Sequence, residues 1–373
     1  MKNFEELKGN FGFGCMRLPM TLSHVNYKEF SKMADAYIEA GFNYFDTAHG
    51  YLVGKSETAI KNCVIKRYPR ESIILTDKLS DGYFKKEEDI RPFFEKQLKW
   101  CGVKYFDFYL MHSLNKKNYK KYRDCHAFEI AQELKKEGKI HHVGFSFHDK
   151  PALLDKILTE HPEVEFVQIQ FNYADYDNPS VESYECYKIC EKHDKPVIVM
   201  EPVKGGGLVK LPDEAKAILD DVGSGSYASY AIRFAASFPN VIMVLSGMGS
   251  MEMMSDNLSF MTDFKPFSEE EFEAVAKVRE IIAKQKMIQC TGCRYCVEGC
   301  PQNIKIPDLF SCYNEKKQYR DWNSNVYYAN LTANSGKAKD CIKCGKCEKI
   351  CPQNLPIRDL MKKVSRRFDI VNL

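Results

Sequence analysis

The chain has 373 residues, of which 44% are hydrophobic and 28% charged, with a formal net charge of +3. That length exceeds one typical domain and predicts two, and the nearly balanced charge excludes the strongly basic footprint of a nucleic-acid-binding protein. No run of about 18 uncharged apolar residues is present, so no membrane span is expected, and the opening Met1-Lys2-Asn3-Phe4-Glu5-Glu6 lacks the apolar core of a secretory leader. Fifteen cysteines without such a leader read as reduced thiols of a cytoplasmic protein rather than a disulfide framework.

From residue 11 to about 262, short β-rich runs alternate eight times with longer helical stretches. The strand candidates are 11–18, 42–46, 72–78, 106–112, 140–146, 166–171, 196–201 and 241–246. Amphipathic stretches lie between them, at 27–40, 87–101, 122–137, 150–158, 181–193, 226–238 and 251–260. Such alternation means parallel pairing through right-handed crossovers, and eight units are the count that closes a (β/α)8 barrel. An open doubly wound sheet is the alternative. It wants a glycine-rich turn after its first strand, and Gly12-Phe13-Gly14 comes too early and lacks the third glycine.

Barrels of this kind carry their chemistry at the C-terminal ends of the strands. Reading only those positions isolates Asp46 and Tyr51 after the second strand, Lys78 at the end of the third and His112 at the end of the fourth. Four such groups suit proton donation to a carbonyl oxygen. The Tyr hydroxyl gives the proton, a Lys ammonium favours the tyrosinate, an Asp holds the Lys, and a His positions the oxygen. Singly, each has a blander reading as a core aromatic, a solvated strand end, a satisfied core imidazole or a turn former. Together on one face they favour a site.

These residues carry a resemblance to the aldo-keto reductase family across roughly residues 9–262. The motifs are Phe45-Asp46-Thr47-Ala48-His49-Gly50-Tyr51, Gly54-Lys55-Ser56-Glu57, Thr76-Asp77-Lys78, Asp107 through His112-Ser113, Gly144-Phe145-Ser146, Val167-Gln168, and Val244 through Gly247 leading to Asn257-Leu258. The resemblance implies Tyr51 as proton donor, Lys78 and Asp46 as its tuning pair and His112 as substrate orienter. It also implies NAD(P)H as hydride source, with Ser146 and Gln168 on the carboxamide and Met200 beside the nicotinamide. Gly247, Met248, Ser250 and Asn257 fall toward the phosphates and adenine. The chain departs from the family at Phe147, where an Asn is usual, and at Met200, where an aromatic is usual. No Arg or Lys stands between Ser246 and Asp263, which weakens the expectation of NADPH over NADH. Gly205-Gly206-Gly207 reads as a flexible loop in preference to a phosphate cradle.

Past residue 265 the pattern changes. Ser268 with Glu269, Glu270 and Glu271 reads as a helix start, with the helix running to about 286. Two cysteine runs follow: Cys290, Cys293, Cys296 and Cys300-Pro301, then Cys341, Cys344, Cys347 and Cys351-Pro352. Each is C-x2-C-x2-C-x3-C-P, the run that ligates [4Fe–4S] clusters in two-cluster ferredoxins, where the fourth cysteine reaches across to the other cluster. That assigns Cys290, Cys293, Cys296 and Cys351 to one cluster and Cys341, Cys344, Cys347 and Cys300 to the other. Zinc and disulfides are the weaker readings, because both runs are complete. The spacer between the runs, with helix candidates at 306–313 and 321–331, predicts a mainly helical dicluster domain, and the tail 355–373 reads as helical with Lys362, Lys363, Arg366 and Arg367 on a solvated face.

The whole chain thus resembles the aldo-keto reductase subgroup with a C-terminal dicluster ferredoxin-like domain: a barrel over 1–265 and a helical cluster domain over 266–373. What the resemblance implies is an oxygen-sensitive, anaerobic-type oxidoreductase acting on a small carbonyl or alcohol. A nicotinamide moves two electrons and a cluster one, so a flavin is a candidate adaptor and an external electron-transfer protein a candidate partner. Two rival readings stay open: a barrel that is only a docking module, and clusters that are only structural or sensing.

Overall fold

The computed structural model describes residues 4–178, 181–284, 287–319 and 323–369. It divides into two compact units, one of Met1–Val203 with Ser224–Phe272, the other of Lys204–Gly223 with Glu273–Leu373.

The first unit is a closed barrel. Its strands are β1 (Phe11–Gly14), β2 (Tyr44–Asp46), β3 (Ile74–Leu79), β4 (Phe106–Leu114), β5 (Ile140–Phe147), β6 (Phe166–Gln170), β7 (Val197–Met200) and β8 (Val241–Ser246). Each is parallel to its sequence neighbour, and β1 pairs with both β8 and β2 to shut the ring. Closure excludes the open-sheet alternative. Inward-pointing Tyr44, Ile74, Phe108, Leu110, Phe166, Ile198, Met243 and Leu245 pack with Phe4 into one interior cluster. Each such side chain, fully buried, is worth about 1.5–3 kcal/mol. Interdigitation is tight enough that a Cβ on Gly144 would fall 2.5 Å from the Phe166 ring, so Gly144→Ala overpacks the barrel.

All eight expected strands form, with altered ends. β1 stops at Gly14 because its ladder partners run out there, and Cys15–Arg17 turns as a 3-10 segment before a short hairpin of Met20–Thr21 and His24–Val25. The helix expected over 122–137 is broken in two, Tyr119–Asp124 and Ala127–Lys136, by His126 at φ 49°. Between residues 11 and 262, among the described residues, two helices escaped the periodicity reading, Lys55–Ile60 (continued by a π-helical turn) and Asp213–Val222.

The second unit is mainly helical, as expected: Ile306–Tyr319, Asn323–Thr332 and Ile357–Phe368 surround a small core of Ile288, Ile304, Ile306, Leu309, Phe310, Ile357, Met361 and Val364. Residues 285–286 of the expected helix, 321–322 of the second spacer helix and 370–373 of the tail lie outside the described residues. In the same unit Gly205, at φ +64°, brings its backbone so close that a Cβ would meet the Thr291 carbonyl oxygen at 2.1 Å. This glycine serves close packing, a requirement that the reading of the sequence did not include.

Candidate active site and cysteine cavities

The barrel's C-terminal rim gathers the four expected residues. Lys78 is completely buried, and its Nζ donates to both Asp46 carboxylate oxygens at 2.8 Å and to the Thr47 carbonyl at 2.6 Å. All three ammonium hydrogens are thereby used. Burial raises the Asp46 carboxyl and Lys78 opposes that shift; with both oxygens on one ammonium, we read the pair as ionised, since an unpaired charge at this depth costs several kcal/mol. The Tyr51 ring lies over this ammonium, Nζ being 4.8 Å from its centroid. His112 meets the same ring edge-on at 6.0 Å, and its Nδ1 is 2.6 Å from Ser80 Oγ.

One electrostatic expectation is reversed. Burial pushes the Tyr51 hydroxyl well above its ordinary value, with Asp46 and Glu201 adding to the rise and Arg17 opposing it. All three Lys78 hydrogens go to Asp46 and Thr47, so none is donated to the phenol, and burial dominates its shift. Tyr51 therefore holds its proton at neutral pH. Burial likewise lowers His112, helped by Lys78 and His148, which leaves a neutral imidazole.

Ser146 and Gln168 are opposite each other on β5 and β6 and both are buried. Ser146 Oγ accepts from the Ser113 N–H at 2.7 Å, which leaves its own hydrogen to give. Gln168 Oε1 has no partner among the described residues. One free acceptor beside one free hydroxyl hydrogen fits a carboxamide, so these residues could hold a nicotinamide. Met200 ends β7 half-buried, Met248 is buried and Gly247 is exposed. Ser250 caps the helix Met251–Met261 by accepting from the Met253 N–H at 3.3 Å. Asn257 donates to Ser246 Oγ at 2.7 Å and is thus tied into the end of β8.

Several rim residues were not singled out from sequence. The Arg17 side chain lies along Gly247, where a Cβ would be 3.5 Å from its own, and Nη2 is 3.8 Å from Glu201 Oε1. It places a basic side chain beside Gly247, from a part of the chain no local window connects. Half-buried His148, its Nδ1 buried without a partner among the described residues, is lowered by burial to about 4. Left-handed backbone at Leu52, Val53, Ser113 and Glu201 marks three strand ends. Non-glycine residues rarely hold that conformation, and such strain clusters at functional sites.

Behind Lys78 lies a second charge cluster. Asp77 accepts from the Lys78 N–H at 2.8 Å, and Gln97 donates to the Lys78 carbonyl at 3.0 Å. Glu57, fully buried, hydrogen-bonds Asp77 and is 2.7 Å from His49 Nδ1. Burial pushes Glu57 up to about 7 and Asp77 well above its usual range. We read this as two carboxyls sharing a proton. The native chain keeps a proton that the unfolded chain releases above 4.5, so this contribution to stability is complete below that pH and is lost as pH rises through about 7. His49, His112 and His148, all lowered, act in the opposite sense and lose stability as pH falls below 6.5. The comparison that isolates Glu57 is Glu57→Gln against the parent. The variant's melting temperature should gain about 2–4 °C on the parent between pH 5 and pH 8, and a gap that stays constant across that range would refute the shared proton.

In the second unit, Cys290, Cys293, Cys296 and Cys351 line one cavity with about 320 Å³ of empty space. Cys300, Cys341, Cys344 and Cys347 line another of about 370 Å³. Apolar residues complete both walls, Phe310 and Leu355 in the first, Ile304 and Met361 in the second. Burial raises the Cys296 thiol, with neighbouring cysteines adding to it, and pushes Cys347 up to about 11. Four crowded thiols in an apolar pocket fit an iron–sulfur cube, whose cations offset the thiolate charge. The seven remaining cysteines are all buried.

A (β/α)8 barrel with this rim, on one chain with paired four-cysteine cavities, defines an oxidoreductase class. The chain belongs to the aldo/keto reductase family: the family model matches residues 10–280, and a 4Fe-4S dicluster domain model matches residues 289–356. It is 24% identical to the uncharacterized oxidoreductase YqkF of Bacillus subtilis over 296 residues, 71% of this chain and 90% of that one. It is 31% identical to 4-dihydromethyl-trisporate dehydrogenase of Mucor mucedo over 106 residues, 27% of this chain and 30% of that one. The fold is shared with aldo-keto reductase AKR11C1 of Bacillus halodurans in its holo form (TM-score 0.60, 21% identity, 73% and 92% of the two chains). It is also shared with a Klebsiella pneumoniae aldo-keto reductase in complex with NADPH (TM-score 0.59, 20% identity, 72% and 90%). Among the described residues, no helix is long and apolar enough to cross a membrane.

Proposed function

We propose that the barrel interconverts a carbonyl and an alcohol with Tyr51 as proton donor, while Cys290, Cys293, Cys296 and Cys351, and Cys300, Cys341, Cys344 and Cys347, hold two [4Fe–4S] clusters that carry single electrons. The observation that carries this reading is the sealed Lys78–Asp46 pair set against Tyr51 and His112 on one rim. When bound, a nicotinamide supplies hydride and the clusters supply one-electron steps.

Tyr51 gives its proton to the oxygen that gains electrons, and the adjacent ammonium offsets the tyrosinate left behind. Asp46 keeps that ammonium charged and in place. With Ser80 Oγ–H donating to Nδ1, His112 keeps the hydrogen on Nε2 and can direct it to the same oxygen. Ser146 and Gln168 hold the carboxamide, with Met200 beside the ring and Gly247, Met248, Ser250, Asn257 and Arg17 toward the phosphates. The Met251 N–H already donates to Glu29 Oε1 at 3.2 Å. That acid at the start of the helix after β8 favours NADH over NADPH, and Arg17, beside Gly247 and close to Glu201, is left for the phosphates both nucleotides share.

Two-electron and one-electron chemistry need an adaptor, and a flavin is the class to look for. Under anaerobic conditions, NADH and NADPH are added separately to the iron-loaded protein while the broad absorbance near roughly 400 nm and the EPR spectrum are followed. Bleaching with a new paramagnetic signal, faster with NADH, is the expected result. Nicotinamide binding without bleaching would leave the carbonyl reductase reading standing and send the clusters' electrons to an outside partner.

A further inference from the structure

Charge is distributed unevenly along this chain. Between Lys337 and Arg367 stand ten basic and three acidic residues, a local +7 in a protein whose total is +3. Around the first cysteine run, residues 287–319 carry four basic and three acidic residues, a balance of +1. The linings carry the contrast in space: Lys346 and Arg358 are among the residues lining the cavity of Cys300, Cys341, Cys344 and Cys347, whereas the described residues lining the other include no charged side chain. The two cavities, near-equivalent by motif, sit in different fields.

They also differ in exposure. Cys344 is exposed, whereas Cys290, Cys293 and Cys300 are half-buried and Cys296 is buried. Close to Cys344 in sequence, Ile342 is 59% exposed and Ile350 53%. Lys343, Lys346 and Lys349 are all exposed around them. Ile342, Lys346 and Arg358 line the cavity itself, and the Arg358 Nε–Glu348 pair at 2.7 Å fixes the guanidinium at its edge. Lys346, Lys349 and Ile350 share one face of a short helix by their spacing. An apolar centre ringed by lysines over an exposed ligand is the composition of a transient protein interface.

We propose that this surface, over the cavity of Cys300, Cys341, Cys344 and Cys347, docks an acidic one-electron carrier protein. The inference rests on the reading that the clusters are redox-active. In the step it describes, the reduced carrier loses one electron and the iron–sulfur centre gains one; no bond or proton is exchanged. Charge complementarity selects the partner's sign, because opposite fields raise association rates by about 10–10³-fold and lose that advantage in salt. The basic field also disfavours a basic carrier.

The test uses the full, iron-loaded protein under anaerobic conditions. The probe is a purified acidic plant-type ferredoxin, with basic cytochrome c as the opposite-charge control. Binding is followed by interferometry and electron transfer by stopped flow, at low and high salt. Lys343→Glu/Lys346→Glu/Lys349→Glu should weaken ferredoxin binding and slow transfer at least tenfold and flatten the salt dependence. The Lys→Gln triple should fall between, and Lys96→Glu/Lys99→Glu/Lys136→Glu on the barrel should match the parent. Iron content and dithionite bleaching are measured on every variant first. If the clusters are present but not reducible, the redox reading fails, and the binding arm still decides the docking surface by the same tenfold criterion. Ferredoxin binding that ignores the reversal, or cytochrome c binding as tightly as ferredoxin, overturns the proposal.

Discussion

Replacing Tyr51 with Phe should lower kcat for carbonyl reduction about 10²–10⁴-fold, the range that a positioned general acid contributes, with nicotinamide affinity within about threefold of the parent. The substitution removes the hydroxyl and nothing else. The Phe ring keeps its edge contact with His112 and its place over the Lys78 ammonium. Lys78 keeps Asp46 and Thr47, because none of its three hydrogens goes to the phenol. Stability should hardly move, so a loss of rate reports proton transfer and not unfolding. Steady-state kinetics with an aldehyde panel, beside cofactor binding by fluorescence, make the measurement. An unchanged kcat would remove Tyr51 from its role, and His148, a rim residue whose Nδ1 has no partner among the described residues, would be the next candidate.

The second large effect concerns Cys351. Although it closes the second cysteine run, it lines the cavity of the first. Cys351→Ala should therefore lower the iron content from about eight to about four per chain, as expected for losing one of two [4Fe–4S] clusters. Pairing separates this from ligation within each run, by the logic of double-mutant cycles. Cys351→Ala with Cys290→Ala should still hold about four irons, because both changes strike one cluster. Cys351→Ala with Cys341→Ala should hold almost none. The opposite pattern would mean that each run binds its own cluster. A cluster held by cysteines from separate segments also ties the unit's small core to loading, so the double loss should markedly destabilise it.

The barrel was legible in the order of its elements because a strand buried on both faces reads as an apolar run and a crossover helix reads as a 3.6-residue stripe. Both are local signals. Helix ends were less legible. The break at His126 depends on a left-handed residue, and Lys55–Ile60 follows three left-handed residues from Leu52 to Gly54, where no apolar stripe announces a helix. Of the candidate site, Asp46, Tyr51, Lys78 and His112 could be picked from strand ends alone, since a barrel brings all its C-terminal ends to one rim. Arg17, His148 and the Glu57–Asp77 pair could not. Each acquires its meaning from a neighbour tens or hundreds of residues away.

What the amino-acid order determined by itself was therefore chemistry with a fixed spacing: the cysteine runs, the alternation that closes a barrel, and the side-chain types at strand ends. Those depend on periods of a few residues, which sequence displays directly. The tertiary structure alone decided protonation and charge balance. Lys78 carries all its hydrogens to Asp46 and Thr47, so in the resting site burial is the largest influence on the Tyr51 hydroxyl. It likewise decided that the two cysteine runs, alike in spacing, face different fields, with Cys344 at an exposed basic surface and Cys296 buried. Desolvation and Coulomb energy depend on depth and distance in space, and neither is carried by spacing along the chain.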